Sequence, residues 1–189
     1  MKRYLVFLAL CFFLTAPTHS QIIDLEKDQL WVDIGFGVLE TYGVTEINFN
    51  LGLNLVSGSI LYKIRTLINT EFDLFGPTPS EEFYSLGALI GKGFSTDYIH
   101  IYFSGGIGIT GGVKRGEYLY TEPSSGWLDI GDGRNYERDV FVTPSIPLEV
   151  DLLLKPTKFL GAGISVFVDL NLKRPLYGFS VKLGLGKLR

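Results

Sequence analysis

From Thr45 onward, apolar and polar residues take turns. Thr45, Ile47, Phe49, Leu51, Leu53 and Leu55 form one set; Glu46, Asn48, Asn50, Gly52 and Asn54 form the other. A period of two places the sets on opposite faces of a strand, whereas a helix would spread the asparagines around its circumference. The same division recurs along the chain. Val32, Ile34, Phe36 and Val38 oppose Asp33, Gly35 and Gly37. Tyr62, Ile64, Thr66 and Ile68 oppose Lys63, Arg65 and Asn69, with Leu61 and Leu67 breaking the pattern. Further alternating segments centre on Leu86, Phe103, Leu148, Ile164 and Val181. These make eight candidate strands, an even number that suits a closed antiparallel barrel. Most reach the roughly 9–11 residues that a tilted strand needs to cross a bilayer.

The connections sort by length. Turns are expected at Val56-Ser57-Gly58-Ser59, Ser95-Thr96-Asp97 and Lys155-Pro156-Thr157-Lys158. The third connection is expected from about Glu71 to Glu82 and the fifth from about Val113 to Arg138. The first (Glu40 to Gly43) and seventh (Asn171 to Pro175) are shorter. All long connections thus fall at one end, as in outer-membrane barrels with short periplasmic turns and longer external loops. Pro144 and Pro147 lie in or near the sixth strand, where proline removes a ladder donor. The expectation is a strand that starts near Ile146 or carries a bulge.

Charge gives the alternation a direction. Asp33, Glu46, Lys63, Arg65, Glu149, Asp151, Asp169 and Lys182 all fall in the polar set, and the apolar set is almost free of charge. An eight-stranded barrel has an interior just wide enough for side chains. Glycines and a few large polar residues would fill it, but five bulky apolar residues from each strand would not fit. The apolar set is therefore expected to face lipid. A secreted soluble binding barrel, the alternative, would invert the two faces. Charges removed from water have to be paired, so Lys63, Arg65 and Lys182 are expected to meet Asp33, Glu46, Glu149, Asp151 and Asp169. This network is read as structural rather than as a gate. Lys92, on the apolar face, would snorkel at the periplasmic end. Tyr62 and Phe94 would line the periplasmic rim, and Tyr84 and Tyr177 the external one.

Composition adds an address. Lys2 and Arg3 precede an apolar stretch from Tyr4 to Leu14, then small and polar residues to Ser20. This is the layout of a signal peptide cleaved before Gln21. The expected organisation is a signal at 1–20, a periplasmic segment at 21–29 and a barrel from 30 to 189. Cys11, the single cysteine, lies in the signal, so the mature chain has no thiol chemistry. Its 15 basic and 20 acidic residues argue against a nucleic-acid partner. No run long enough for a membrane-spanning helix follows the signal.

With these features in place, the chain resembles the small OmpA/OmpX-like outer-membrane barrels, the porin-family type of outer-membrane β-barrel domain. The resemblance spans about Trp31 to Arg189 and includes glycine-rich strands such as Phe159-Leu160-Gly161-Ala162-Gly163-Ile164. It implies an eight-stranded up-and-down transmembrane barrel in the cell outer membrane, with lipid as its surroundings. The chain departs from the family's usual aromatic terminus by ending Gly184-Leu185-Gly186-Lys187-Leu188-Arg189.

Chemistry is sparse. Some barrels of this kind modify lipid A, but His100 and Ser104 stand four apart on the lumen face, and no Asp completes a catalytic set with them. Asp129, Asp132 and Glu137 do not match a calcium loop. No catalytic residue, metal site or cofactor is expected. Phe75, Tyr118, Tyr120, Trp127 and Tyr136 fall in the long external connections, where exposed aromatics suit recognition of a protein or glycan. The leading expectation is a structural or interaction barrel. The alternative is transport of small solutes, apolar ones included; eight strands leave no aqueous channel.

Overall fold

A computed structural model of the chain describes residues 28–41, 44–71, 77–121 and 133–188. The expected signal peptide, Phe75 and Trp127 lie outside the described residues. Eight strands run β1 (Gln29–Thr41), β2 (Val44–Ser57), β3 (Ile60–Glu71), β4 (Glu82–Ser95), β5 (Ile99–Thr121), β6 (Arg134–Leu154), β7 (Leu160–Asn171) and β8 (Leu176–Lys187). Each pairs antiparallel with the next, and β1 pairs with β8 to close the barrel. The expected number, order and up-and-down topology are all present.

The connections at 58–59, 96–98 and 155–159 share one end, here the turn end. Those at 42–43, 72–81, 122–133 and 172–175 share the other, the loop end. The β2–β3 turn needs only Gly58-Ser59 because Gly58 adopts φ +61°, which a tight hairpin requires.

Two expectations are corrected. The fifth connection does not begin at Val113. β5 and β6 continue as a paired hairpin to Thr121 and from Arg134, with two bulges that each add a residue to β5. This hairpin stands beyond the rest of the barrel: β4 pairs with β5 only to Val113, and β7 pairs with β6 only from Ser145. A ribbon wetted on both faces has no reason to alternate, so its sequence does not read as strand.

The sixth strand also runs unbroken through both prolines. The registers Gly105↔Leu148 and Gly108↔Ser145 agree, so the prolines introduce no slip. Thr78 bonds the backbone of Arg134 and Tyr136, so even-numbered residues of β6 direct their backbone groups away from β5. Pro144 therefore turns its missing donor toward an edge without a paired strand among the described residues. Pro147 turns its own toward β5, where the ladder lacks the Gly106 and Ile107 pairs. Its ring instead lies where a side chain on Gly87 would be, 3.0 Å from that Cβ position.

The faces divide as the charge pattern requires. Phe36, Ile64, Leu86, Phe103, Ile107, Val150, Val166 and Val181 are exposed on the outside. The buried set includes Asp33, Lys63, Arg65, Glu149, Asp169 and Lys182. A soluble barrel would show the reverse; the outer surface is instead a continuous apolar band, with Lys92 exposed near the turn end. Gly52 makes room inside, because a side chain there would meet the Asp33 carboxylate at 2.5 Å.

Candidate functional site

The barrel interior is layered. Trp31, Val56, Leu61, Tyr102, Leu153 and Leu188 form an apolar cluster at the turn end. Leu39, Leu67, Phe83, Phe141, Phe167 and Leu176 form another toward the loop end. Between them along β1, β3 and β6 lie Asp33, then Lys63 and Arg65, then Glu149 and Asp151. The leucines that broke the alternation, Leu61 and Leu67, belong to these two layers.

The sandwiched charges form one belt. Glu149 accepts from Lys63 Nζ at 3.0 Å, from Arg65 at 3.3 Å and from Lys182. Asp151 accepts from Lys63 at 2.9 Å and from Lys182 at 2.8 Å. Arg65 also bonds Asp169, which accepts from Ser85 Oγ at 2.5 Å. Asp33 accepts from Asn54 at 2.5 Å and stands 3.7 and 3.8 Å from the ammonium groups of Lys63 and Lys182. The Arg65 guanidinium also covers the Phe167 ring at 5.4 Å. Beside the belt, Asn50 donates to Ser180 at 2.6 Å, and the Ser165 and Ser180 hydroxyls share a bond of 2.9 Å. Seven of the eight residues expected in the lumen network thus meet.

Glu46 is the exception. It lies on the inner face, but its charged neighbour is Arg174, at 3.7 Å. Arg174 donates to Glu81 at 2.5 Å and stacks over Phe83 at 4.7 Å. Glu81 accepts from the Arg115 backbone at 3.0 Å, and the Arg115 side chain bonds Glu71 and the carbonyls of Pro77 and Pro79. This second network ties segment 77–81 to β3, β5 and the β7–β8 turn. Glu71, Glu81, Arg115 and Arg174 carried no periodic signal, since each lies at a strand end, in the hairpin extension or in a connection. Replacing Arg174 with alanine would leave two buried carboxylates without this partner, at about 1–3 kcal/mol. We expect faster limited proteolysis within 77–81 while the barrel stays folded; an unchanged cleavage rate would contradict that role.

On the protruding hairpin, Tyr118 and Tyr136 face each other across β5 and β6 with ring centroids 5.8 Å apart. Tyr118, Leu119 and Tyr120 are exposed. The three tyrosines thus belong to a paired ribbon rather than a loose loop. His100 lies flat against Trp31 at 5.2 Å, and Ser104 donates to the Glu149 carbonyl at 3.4 Å, so the two do not form a nucleophile–base pair.

No protein-family model and no curated protein matches the sequence. Several solved structures match in fold. Neisserial surface protein A aligns with a TM-score of 0.56 at 10% identity, over 84% of this chain and 96% of that one. The N-terminal β-barrel domain of Pseudomonas aeruginosa OprF gives 0.52 at 12% identity, over 85% and 99%. The Yersinia pestis attachment invasion locus protein Ail, in complex with the heparin analogue sucrose octasulfate, gives 0.53 at 11%, over 84% and 97%. The chain therefore has the fold of the small outer-membrane β-barrels, as its OmpA/OmpX-like pattern implied.

Proposed function

We propose that the chain is exported by its N-terminal signal, resides in the outer membrane, and serves as a non-conducting anchor that presents the β5–β6 hairpin to a protein partner. The observation that carries this reading is the hairpin itself. Residues 114–121 and 134–144 extend past the pairing of β4 and β7, and display Tyr118, Leu119 and Tyr120 on a hydrogen-bonded ribbon. Exposed aromatics on a paired ribbon offer contact area with less ordering cost than on an unpaired loop.

A protein suits this surface better than an anionic glycan. Lys114, Arg115, Arg134 and Arg138 are interleaved with Glu117, Glu137 and Asp139, and Arg115 is already bound to Glu71. The ribbon is therefore not a basic patch. The backbone groups of Arg138, Val140 and Val142 also point to an edge with no paired strand among the described residues.

Two apolar layers and a charged belt lie at successive heights inside the barrel. That arrangement argues against solute passage through the lumen. In planar bilayers the purified protein is expected to give no stable current steps, and steady single-channel steps would contradict the filled lumen. With a photo-crosslinker at Tyr120 in living cells, a discrete protein adduct is expected that is absent with the crosslinker at lipid-facing Val181. Identical patterns from both positions would contradict the hairpin's role.

A further inference from the structure

A cavity of about 20 Å³ lies between the charged belt and the turn-end apolar layer. Trp31, Asp33, His100, Tyr102, Asp151 and Lys182 are among its walls. Two of them carry a buried polar atom without a protein hydrogen-bond partner, Asp33 Oδ1 and Tyr102 Oη, while the buried His100 ring has the Leu188 backbone beside it. His100 and Tyr102 are each 1% exposed, and Asp33 is 3% exposed. Left unbonded, such atoms would each be a substantial cost.

We propose that this cavity is a binding site for one water molecule that joins the belt to the aromatic layer. Size and chemistry agree. A water needs roughly 10–15 Å³ by this measure and two to four polar partners. The cavity therefore has room for a water molecule. The water would accept from the Tyr102 hydroxyl and donate to Asp33 Oδ1.

The belt's composition gives the site a role. It holds four carboxylates, on Asp33, Glu149, Asp151 and Asp169, against the three cations Lys63, Arg65 and Lys182. Asp33 has the weakest share of those cations, with both ammonium groups beyond 3.5 Å and only Asn54 as donor. A water proton directed at its second oxygen stabilises this least-compensated carboxylate. On the other side, Lys155 is engaged by Ser95 Oγ at 3.0 Å and the Leu188 carbonyl at 3.3 Å. The water thus serves the Asp33 side.

Tyr102→Phe decides between a hydrated site and a dry one by the sign of its effect. If the hydroxyl bonds a water, its loss shifts the unfolding equilibrium roughly five- to tenfold toward the unfolded chain. If the hydroxyl is buried without a partner, removing it leaves stability unchanged or raises it, which overturns the proposal. A high-resolution crystal structure of the unaltered protein provides the independent check. One water within hydrogen-bond distance of Tyr102 Oη is expected. An empty cavity, or density with the coordination of an ion, would overturn the site even if the variant failed to fold.

Discussion

Glu149→Ala is expected to destabilise the folded barrel by about 3–5 kcal/mol. Glu149 is the one carboxylate that contacts all three belt cations: Lys63, Arg65 and Lys182. Without it, these cations share Asp33, Asp151 and Asp169, and the belt exchanges a surplus of negative charge for balance in number but not in position. Arg65 retains Asp169, while Lys63 and Lys182 both depend on Asp151 and on a more distant Asp33. An apolar replacement of the whole belt could be neutral, because burying ions is itself costly; deleting one partner is not, because it leaves desolvated charge behind. The partly exposed Lys114–Asp139 pair, at 3.1 Å, is the internal control. Asp139→Ala should cost no more than about 1 kcal/mol, as exposed ion pairs do. Urea unfolding of the barrel in lipid vesicles measures both. Equal effects at the two sites would mean that the belt is not a buried structural network.

The second large effect concerns the outer face. Leu51 lies on β2 beside Gly52, whose partners Asp33 and Arg65 belong to the belt, so it marks the middle height of the barrel. Its side chain is exposed on the apolar band. Leu51→Arg should cost about 2–4 kcal/mol when the surroundings are lipid, since a cation at the bilayer midplane is penalised to that extent. In a water-surrounded barrel the same change would be close to neutral or would improve solubility. Unfolding midpoints of the two proteins in vesicles distinguish these outcomes.

Much of this arrangement was legible in the residues. A period of two, repeated eight times, is a local signal, and it located every strand. Charge falling on one of the two sets gave the inner face and seven of the belt residues. Glu46 shows the limit. Its face was readable, but its height relative to Lys63 depends on strand stagger, which alternation does not encode. Leu61, Leu67, Phe83 and Phe167 show another. As apolar residues on the polar face they blur the period, yet together they build the layers that enclose the belt. The network of Arg115 and Arg174 was hidden for a third reason. It forms only when segment 77–81 reaches β5 and the β7–β8 turn, a non-local arrangement without periodicity. The hairpin beyond Val113 read as loop because a strand wetted on both sides has no face to mark.

The barrel is closed by a β1–β8 seam with its apolar set outward, and the proposal places that band in lipid. Heat-modifiability of the protein taken from the outer-membrane fraction reports on that closed, membrane-inserted state. Unboiled protein should migrate differently from boiled protein in a denaturing gel, because the closed barrel resists the detergent until heated. Recovery of the mature chain in the soluble periplasm, with the same mobility before and after boiling, would contradict a membrane-inserted closed barrel.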